Sequence, residues 1–280
     1  MRKLLMLLLT AAAAVPCWAQ PKRVFVITDA EGVAGICRQD QTEPKDPELR
    51  RLLTGEINAA VQGFIDGGAD EVLVWDGHDG SQTLSVETID PRAKLVMGGL
   101  GITMLMERKY TAIAFIGQHA RANSRGGVMA HSYSSLGIQN MLMNGKPVGE
   151  IETRAALAGW YGTPVAFLSG DQVAAEQLKA IVPDAEVAVV KEGLTNYSCI
   201  SLSAESSRRL IREKAAAGMR KVAHIRPYRI DGPVTFQVES TSRSALGHDP
   251  GLRAGAEVID ARTVRYTGKD FLEAWQRARF

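Results

Sequence analysis

An open, mostly parallel α/β sheet flanked by helices is the architecture this sequence predicts, with a small antiparallel hairpin insertion and a C-terminal α+β portion. Three observations predict it. Apolar runs of strand length recur along the chain, they are continuously apolar rather than alternating, and stretches of helical periodicity separate them. A continuous run suits a strand covered on both faces, and strand–helix alternation implies right-handed crossovers in one sheet.

The amino-terminal stretch stands outside this pattern. "MRKLLMLLLTAAAAVPCWAQ" has a basic start at Arg2 and Lys3, an apolar run from Leu4 to Val15 and small-residue chemistry at Ala19. Residues 1–19 therefore read as a secretory signal peptide cleaved after Ala19, which places the mature protein in the periplasm or outside the cell. A retained membrane anchor is the alternative, but the apolar run falls short of the ~20 residues a spanning helix needs. Residues 20–280 read as a single domain. About residue 191 is where a C-terminal subdomain would begin, although no linker composition marks it.

The strands then follow in order. "RVFVIT" (Arg23–Thr28), "EVLVWD" (Glu71–Asp76), "AKLVMG" (Ala93–Gly98), "AIAFIGQ" (Ala112–Gln118), "PVAFLSG" (Pro164–Gly170) and "AEVAVV" (Ala185–Val190) are the buried candidates. Helices are expected at Pro47–Gly67, where Leu52, Ile57, Val61 and Ile65 lie on one side, and at Glu150–Tyr161, Asp171–Ile181 and Ala204–Gly218. Asn144-Gly145 between short extended runs signals a type I′ hairpin. Beyond Pro227, "PVTFQVES" and "RTVRYTG" alternate like strands with one exposed face, and "KDFLEAWQRARF" closes as an amphipathic helix.

Composition removes several classes of function. The 280 residues include 33 basic and 31 acidic ones, and loss of Arg2 and Lys3 with the signal leaves the two signs equal at 31. A neutral chain offers no basic face for nucleic acid. No other stretch is apolar for long enough to cross a bilayer, so no stable membrane insertion is expected after cleavage. Cys37 and Cys199 remain, able to pair in an oxidising compartment but too few for a disulfide framework. "GGLG" (Gly98–Gly101) is not a dinucleotide fingerprint.

Ligands in open α/β sheets bind beyond the carboxyl ends of the strands. Asp29 and Glu31 follow the first strand, His78 the second, His119 the run ending at Gln118, and Glu150 opens a helix directly after the hairpin. Three of the five histidines, His78, His119 and His131, fall in this region. Two imidazoles and three carboxylates match the ligands of a borderline divalent metal such as zinc. Two cations would offset the repulsion among the acids, with one carboxylate bridging ions about 3.5–4 Å apart, and would activate a water and polarise a carbonyl. Each residue also has an ordinary explanation. Asp29 and Glu31 could cap a helix, His78 sits in a turn, His119 could be a packed core histidine, and a glutamate at the start of a helix is favoured by the macrodipole. Asp76, Asp79 and Glu152 are rival carboxylates.

"TDAEGVAG", "WDGHDG", "GQHARANSRGGVMAHSYS" and "NGKPVGEIETRAALAGWYGTPVAFLSGD" together resemble the bacterial D-aminopeptidase family of zinc metallopeptidases, in the same order and spacing over most of the mature chain. The resemblance implies two zinc ions per chain held by Asp29, Glu31, His78, His119 and Glu150, with Asp29 bridging. It implies that His131 is an active-site residue that does not ligate metal. It further implies short peptides with amino-terminal D-residues as substrates, such as D-Ala-D-Ala, and a homo-oligomer in the form of a decameric ring. Three departures stand out, one being that the loop "HARANSRGG" is one residue longer than the family pattern. The family's type member is cytoplasmic, whereas this chain opens with an export signal, and Asn196-Tyr197 stands where the family pattern has an arginine and a small residue. The competing functions are a periplasmic peptide- or metal-binding protein without turnover, and a two-metal phosphoesterase whose ligands would be the same.

Overall fold

A computed structural model describes residues 20–98, 101–243 and 255–279; the predicted signal segment, residues 1–19, lies outside the described residues. Among the described residues the strands form two sheets. The first contains β1 (Arg23–Thr28), β2 (Glu71–Trp75), β3 (Ala93–Val96), β4 (Ala112–Gln118), β7 (Val165–Asp171), β8 (Glu186–Thr195) and β9 (Ser198–Ser201), in the order β3-β2-β1-β4-β7-β8-β9. All its pairings are parallel except that of β9 with β8. The chain winds one way from β1 through β2 to β3, and the other way from β4 through β7 to β8. Right-handed crossovers therefore put α1 (Pro47–Asp66) and α3 (Glu150–Trp160) on opposite faces.

The continuous apolar runs have the predicted cause at the sheet centre. β4 and β7 are buried at every position, and Phe25, Phe115 and Phe167 are wholly inaccessible. β3 differs: it is an edge strand, half-exposed along its length and shorter than its sequence run. α1 begins at Pro47, with Asp46 accepting from the Leu49 amide at 2.8 Å. Its buried face centres on Leu49, Leu53, Ile57, Val61 and Phe64, leaving Ile65 at the margin. α1 packs along α5 (Ala204–Arg220), while α3 packs on α4 (Gln172–Ile181).

The hairpin is part of something larger than an insertion. β5 (Ile138–Met143) and β6 (Lys146–Pro147) turn through Asn144 and Gly145 at φ 50° and 77°, both left-handed as a type I′ turn requires. β5 then pairs with β10 (Val234–Ser240), which pairs with β12 (Thr263–Gly268), and β12 with β11 (Ala256–Val258). The resulting antiparallel sheet, β11-β12-β10-β5-β6, is covered by α6 (Phe271–Ala278), with Phe271 edge-on to Phe236 at 5.9 Å. The C-terminal strands thus share a sheet with residues some ninety positions earlier, and the second sheet builds onto the segment between β4 and α3. Among the described residues, the short helix α2 (Ile102–Met106), β9, β11 and two short 3-10 turns have no sequence counterpart.

Candidate metal centre

The sheet reverses its winding between β1 and β4, and a cleft opens there beyond the strand ends. The loop after β1 is pressed onto the end of β4. Asp29 N–H donates to the Ile116 carbonyl at 2.8 Å and Gly32 N–H to the Gly117 carbonyl at 2.7 Å. Two glycines permit this approach. A Cβ on Gly32 would lie 2.1 Å from the Gln118 oxygen, and one on Gly117, at φ 73°, would lie 2.2 Å from the Asp29 oxygen.

All five ligand candidates converge in this cleft, and all are buried. Asp29 stands between the two imidazoles: its Oδ1 is 3.2 Å from His78 Nδ1 and its Oδ2 is 3.5 Å from His119 Nε2. Glu31 Oε2 lies 3.7 Å from His78 Nδ1, and Glu150 Oε1 lies 3.7 Å from His119 Nε2. Each imidazole has its other nitrogen against a backbone carbonyl, His78 Nε2 on Thr42 at 2.7 Å and His119 Nδ1 on Ala120 at 2.8 Å. Those N–H donors fix the tautomers, so both remaining lone pairs face carboxylates. A lone pair against a carboxylate repels unless a cation or proton lies between them.

The electrostatics show the same tension. Burial and the Asp29 charge push the Glu31 carboxyl up to about 7. Burial alone would lower both imidazoles, but the surrounding acids override it, raising His78 to about 10 and His119 to about 9. Burial opposes ionisation of Asp29 too, yet His78, His119 and Arg154 hold it well below the usual carboxylate range. The residues fit a divalent cation. His119 Nε2, Glu31 Oε2 and Glu150 Oε2 are buried without a hydrogen-bond partner, and donor atoms of Asp29, Glu31 and His119 lie within 4.8 Å of one another.

His131 lies beside this cluster. Its ring stacks on that of His119, its Nδ1 bonds the Met129 carbonyl at 2.9 Å, and a donor set with His119 and Glu150 also falls within 4.8 Å. Met129 and Tyr133, two residues to either side, have φ of 49° and 60°, a strained conformation held by packing around a site. The cavity here is about 530 Å³, and its lining includes Asp29, Glu31, His78, His131 and Glu150 together with Tyr133, Leu136 and Tyr197. That volume suits a short peptide.

The rival carboxylates have other work. Asp76 accepts from the Thr83 and Leu84 amides at 2.7 and 2.9 Å, shaping a turn. Glu152 pairs with Arg121 at 2.6 Å and accepts from Gly149 N–H at 2.8 Å. Asp79 stands exposed at the rim, 3.9 Å from His78 Nε2. Sequence reasoning missed the supporting groups. Gln118 donates to Asp29 Oδ2 at 3.2 Å, and the buried Arg154 guanidinium lies between the Trp75 and Tyr133 rings. No periodicity or spacing distinguishes these side chains from ordinary core or helix residues.

A doubly wound sheet with buried carboxylates and imidazoles gathered at its switch point is an arrangement suited to metal-assisted hydrolysis, and comparison with known proteins makes the chain a hydrolase of the metallo-aminopeptidase class. Residues 22–280 match the model of peptidase family M55, described as D-aminopeptidase, and the chain belongs to that family. A D-aminopeptidase of Bacillus subtilis (strain 168) is 29% identical over 261 residues, covering 91% of this chain and 94% of its own length. The solved structure described as "Zn-dependent D-aminopeptidase DppA from Bacillus subtilis, a self-compartmentalizing protease" superposes with a TM-score of 0.83 at 28% identity. It covers 91% of this chain and 95% of that one.

Proposed function

We propose that this protein is an exported zinc aminopeptidase that removes D-amino acids from the amino ends of short peptides such as D-Ala-D-Ala. The observation that carries the reading is the placement of Asp29 between two imidazoles whose free nitrogens face it. Asp29, Glu31, His78, His119 and Glu150 would hold two zinc ions, Asp29 shared, with Glu31 and His78 on one side and His119 and Glu150 on the other. Three carboxylates then meet two divalent cations, which resolves the repulsion described above. Zinc supplies Lewis acidity for the scissile carbonyl and a water acidic enough to attack near neutral pH.

The chain's own residues supply the rest. His131 presents Nε2 to the cavity because Nδ1–H is spent on Met129. Burial and the neighbouring His119 lower its pKa, keeping the ring neutral and able to take a proton and pass it to the leaving amine. Gln118 and the Tyr133 amide, which donates to Glu150 Oε1 at 2.6 Å, keep the carboxylates in place. Tyr133, Leu136 and Tyr197 supply apolar surface in the cavity for the side chains of a small peptide.

D-stereochemistry rests on the family and on the names of the two Bacillus subtilis proteins. The description of DppA as self-compartmentalizing supports a homo-oligomer here, and a decameric ring is the form that the sequence resemblance implies. Export rests on the character of residues 1–19, and the pairing of Cys37 with Cys199 agrees with an oxidising compartment. Among the described residues no helix is long and apolar enough to cross a membrane.

The test is a panel of D- and L-dipeptides with a generic phosphate ester, assayed before and after chelation and after zinc is restored. Chelator-sensitive, zinc-restored cleavage of D-Ala-D-Ala well above L-Ala-L-Ala is expected. Preference for the phosphate ester would replace the peptidase reading, and binding of dipeptide without turnover would make this a binding protein.

A further inference from the structure

The loop that carries Asp29 and Glu31 does not turn directly into α1. It passes the end of β4 through the Gly32–Gly117 contact and reaches β8 and β9, with β7 lying between these strands in the sheet. Lys191, Ser201 and Cys199 of these strands fasten it there, and Glu56 of α1 holds it from the other side. Lys191 Nζ, on β8, donates to the carbonyls of Glu31, Val33 and Ile36. The Ala34 amide donates to buried Glu56 Oε1 at 3.0 Å, the Gly35 amide to Ser201 Oγ at 2.8 Å, and Cys37 is joined to Cys199.

Lys191 is the centre of this arrangement. Its side chain is buried, yet the partners of its ammonium group are backbone carbonyls. An ammonium has three N–H donors, and three carbonyls of one loop converge on it, so donors and acceptors match one for one. A loop curled over a sheet end turns carbonyls inward, away from water, where each needs a donor. One of the three belongs to Glu31 itself. Moving that carbonyl moves the carboxylate that faces His78.

We infer that Lys191 is a positioning residue for the metal centre, setting the loop 31–36 so that Glu31 and Asp29 face the imidazoles before any cation arrives. The inference rests on the zinc reading proposed above. Such supporting contacts usually tune metal affinity about 10–100-fold.

The experiment uses the purified full chain, stripped of metal and titrated with zinc in competition with a chromophoric chelator, with folding followed by near-ultraviolet circular dichroism. Lys191→Met, which keeps the apolar stem and loses all three donors, should weaken zinc binding about 10–100-fold. Lys191→Gln, which keeps two N–H donors, should fall between it and the wild type. Lys221→Met removes an ion pair to Glu186 at the other end of β8 and should leave zinc affinity unchanged, separating positioning from general stability. A folded Lys191→Met protein with wild-type zinc affinity overturns the inference. So does a Lys191→Met protein that cannot fold even with zinc, because the residue would then be a folding element. Wild-type protein that binds no zinc would instead remove the zinc reading, and this inference with it.

Discussion

The imidazoles of His119 and His131 lie face to face, their centroids 3.9 Å apart and their planes within 15° of parallel. One ring belongs to the convergent donor cluster, and the other lines the cavity with its Nδ1 on the Met129 carbonyl. The backbone joins them as well, since His131 N–H donates to the Ala120 carbonyl at 3.2 Å while His119 Nδ1 bonds the same carbonyl. In the proposed mechanism, this pair places His131 within reach of an atom held by the ligand cluster.

The first prediction follows from that pair. His131→Ala should keep its zinc and its melting temperature but lose about 10²–10⁴-fold in turnover, the usual effect of removing a general acid–base. Metal analysis beside steady-state kinetics decides it. Loss of zinc would make His131 a ligand, which its donor set with His119 and Glu150 allows geometrically.

Asp29 gives the second. Because its two oxygens face different imidazoles, Asp29→Ala should lose most zinc from both positions rather than half. Metal content by elemental analysis is the measurement, and one ion retained per chain would end the bridging role.

Stability against pH is the third, for metal-free protein between about pH 5 and 8. Glu31 and Glu56, both raised to about 7 chiefly by burial, favour the folded state while protonated and lose that contribution as pH rises from their unfolded values to 7. His78 and His119, raised to about 10 and about 9, contribute fully below their usual 6.5 and lose that contribution as pH climbs toward those values. The lowered His131 opposes this only below 6.5, and Lys191, lowered to about 8 by burial, opposes it only above 8. Thermal melts of metal-free protein should therefore fall from pH 5 to 8, whereas the gain on adding zinc should grow, because its ligands must be deprotonated. A melting temperature that rises over this window without metal would contradict the assignment.

The disulfide gives the fourth. Cys37 and Cys199 are 162 residues apart in sequence, with Cα atoms 6.0 Å apart. Cys37→Ser with Cys199→Ser should cost about 2–5 kcal/mol of folding stability, the typical effect of losing a native disulfide. Chemical denaturation measures it. The same variant should bind zinc more weakly, since the bond fastens the loop that carries Glu31, and undiminished affinity would confine the disulfide to a stabilising role.

By itself the sequence determined where ligand-type residues meet the sheet. Asp29 and His119 follow directly on an apolar run and His78 follows one after Asp76 and Gly77, and the boundary between burial and polarity is a local signal that marks a strand's end. Glu150 was legible in the same way, at the start of an amphipathic stretch after an Asn-Gly turn. Asp76 was as visible as Asp29, and only the turn amides of Thr83 and Leu84 show why it is not part of the cluster. Tertiary structure alone decided how Asp29 divides its oxygens between His78 and His119, because that depends on β1 lying between β2 and β4. It alone decided that Lys191, which follows the apolar run ending at Val190, is buried under a loop 160 residues earlier. It alone paired β5 with β10, where Asn144 Oδ1 receives the Thr235 amide at 2.8 Å. The physical reason is common to all three. Periodicity and capping act over a few residues, whereas these contacts join segments whose meeting is fixed by strand order and packing, and no local pattern encodes that order.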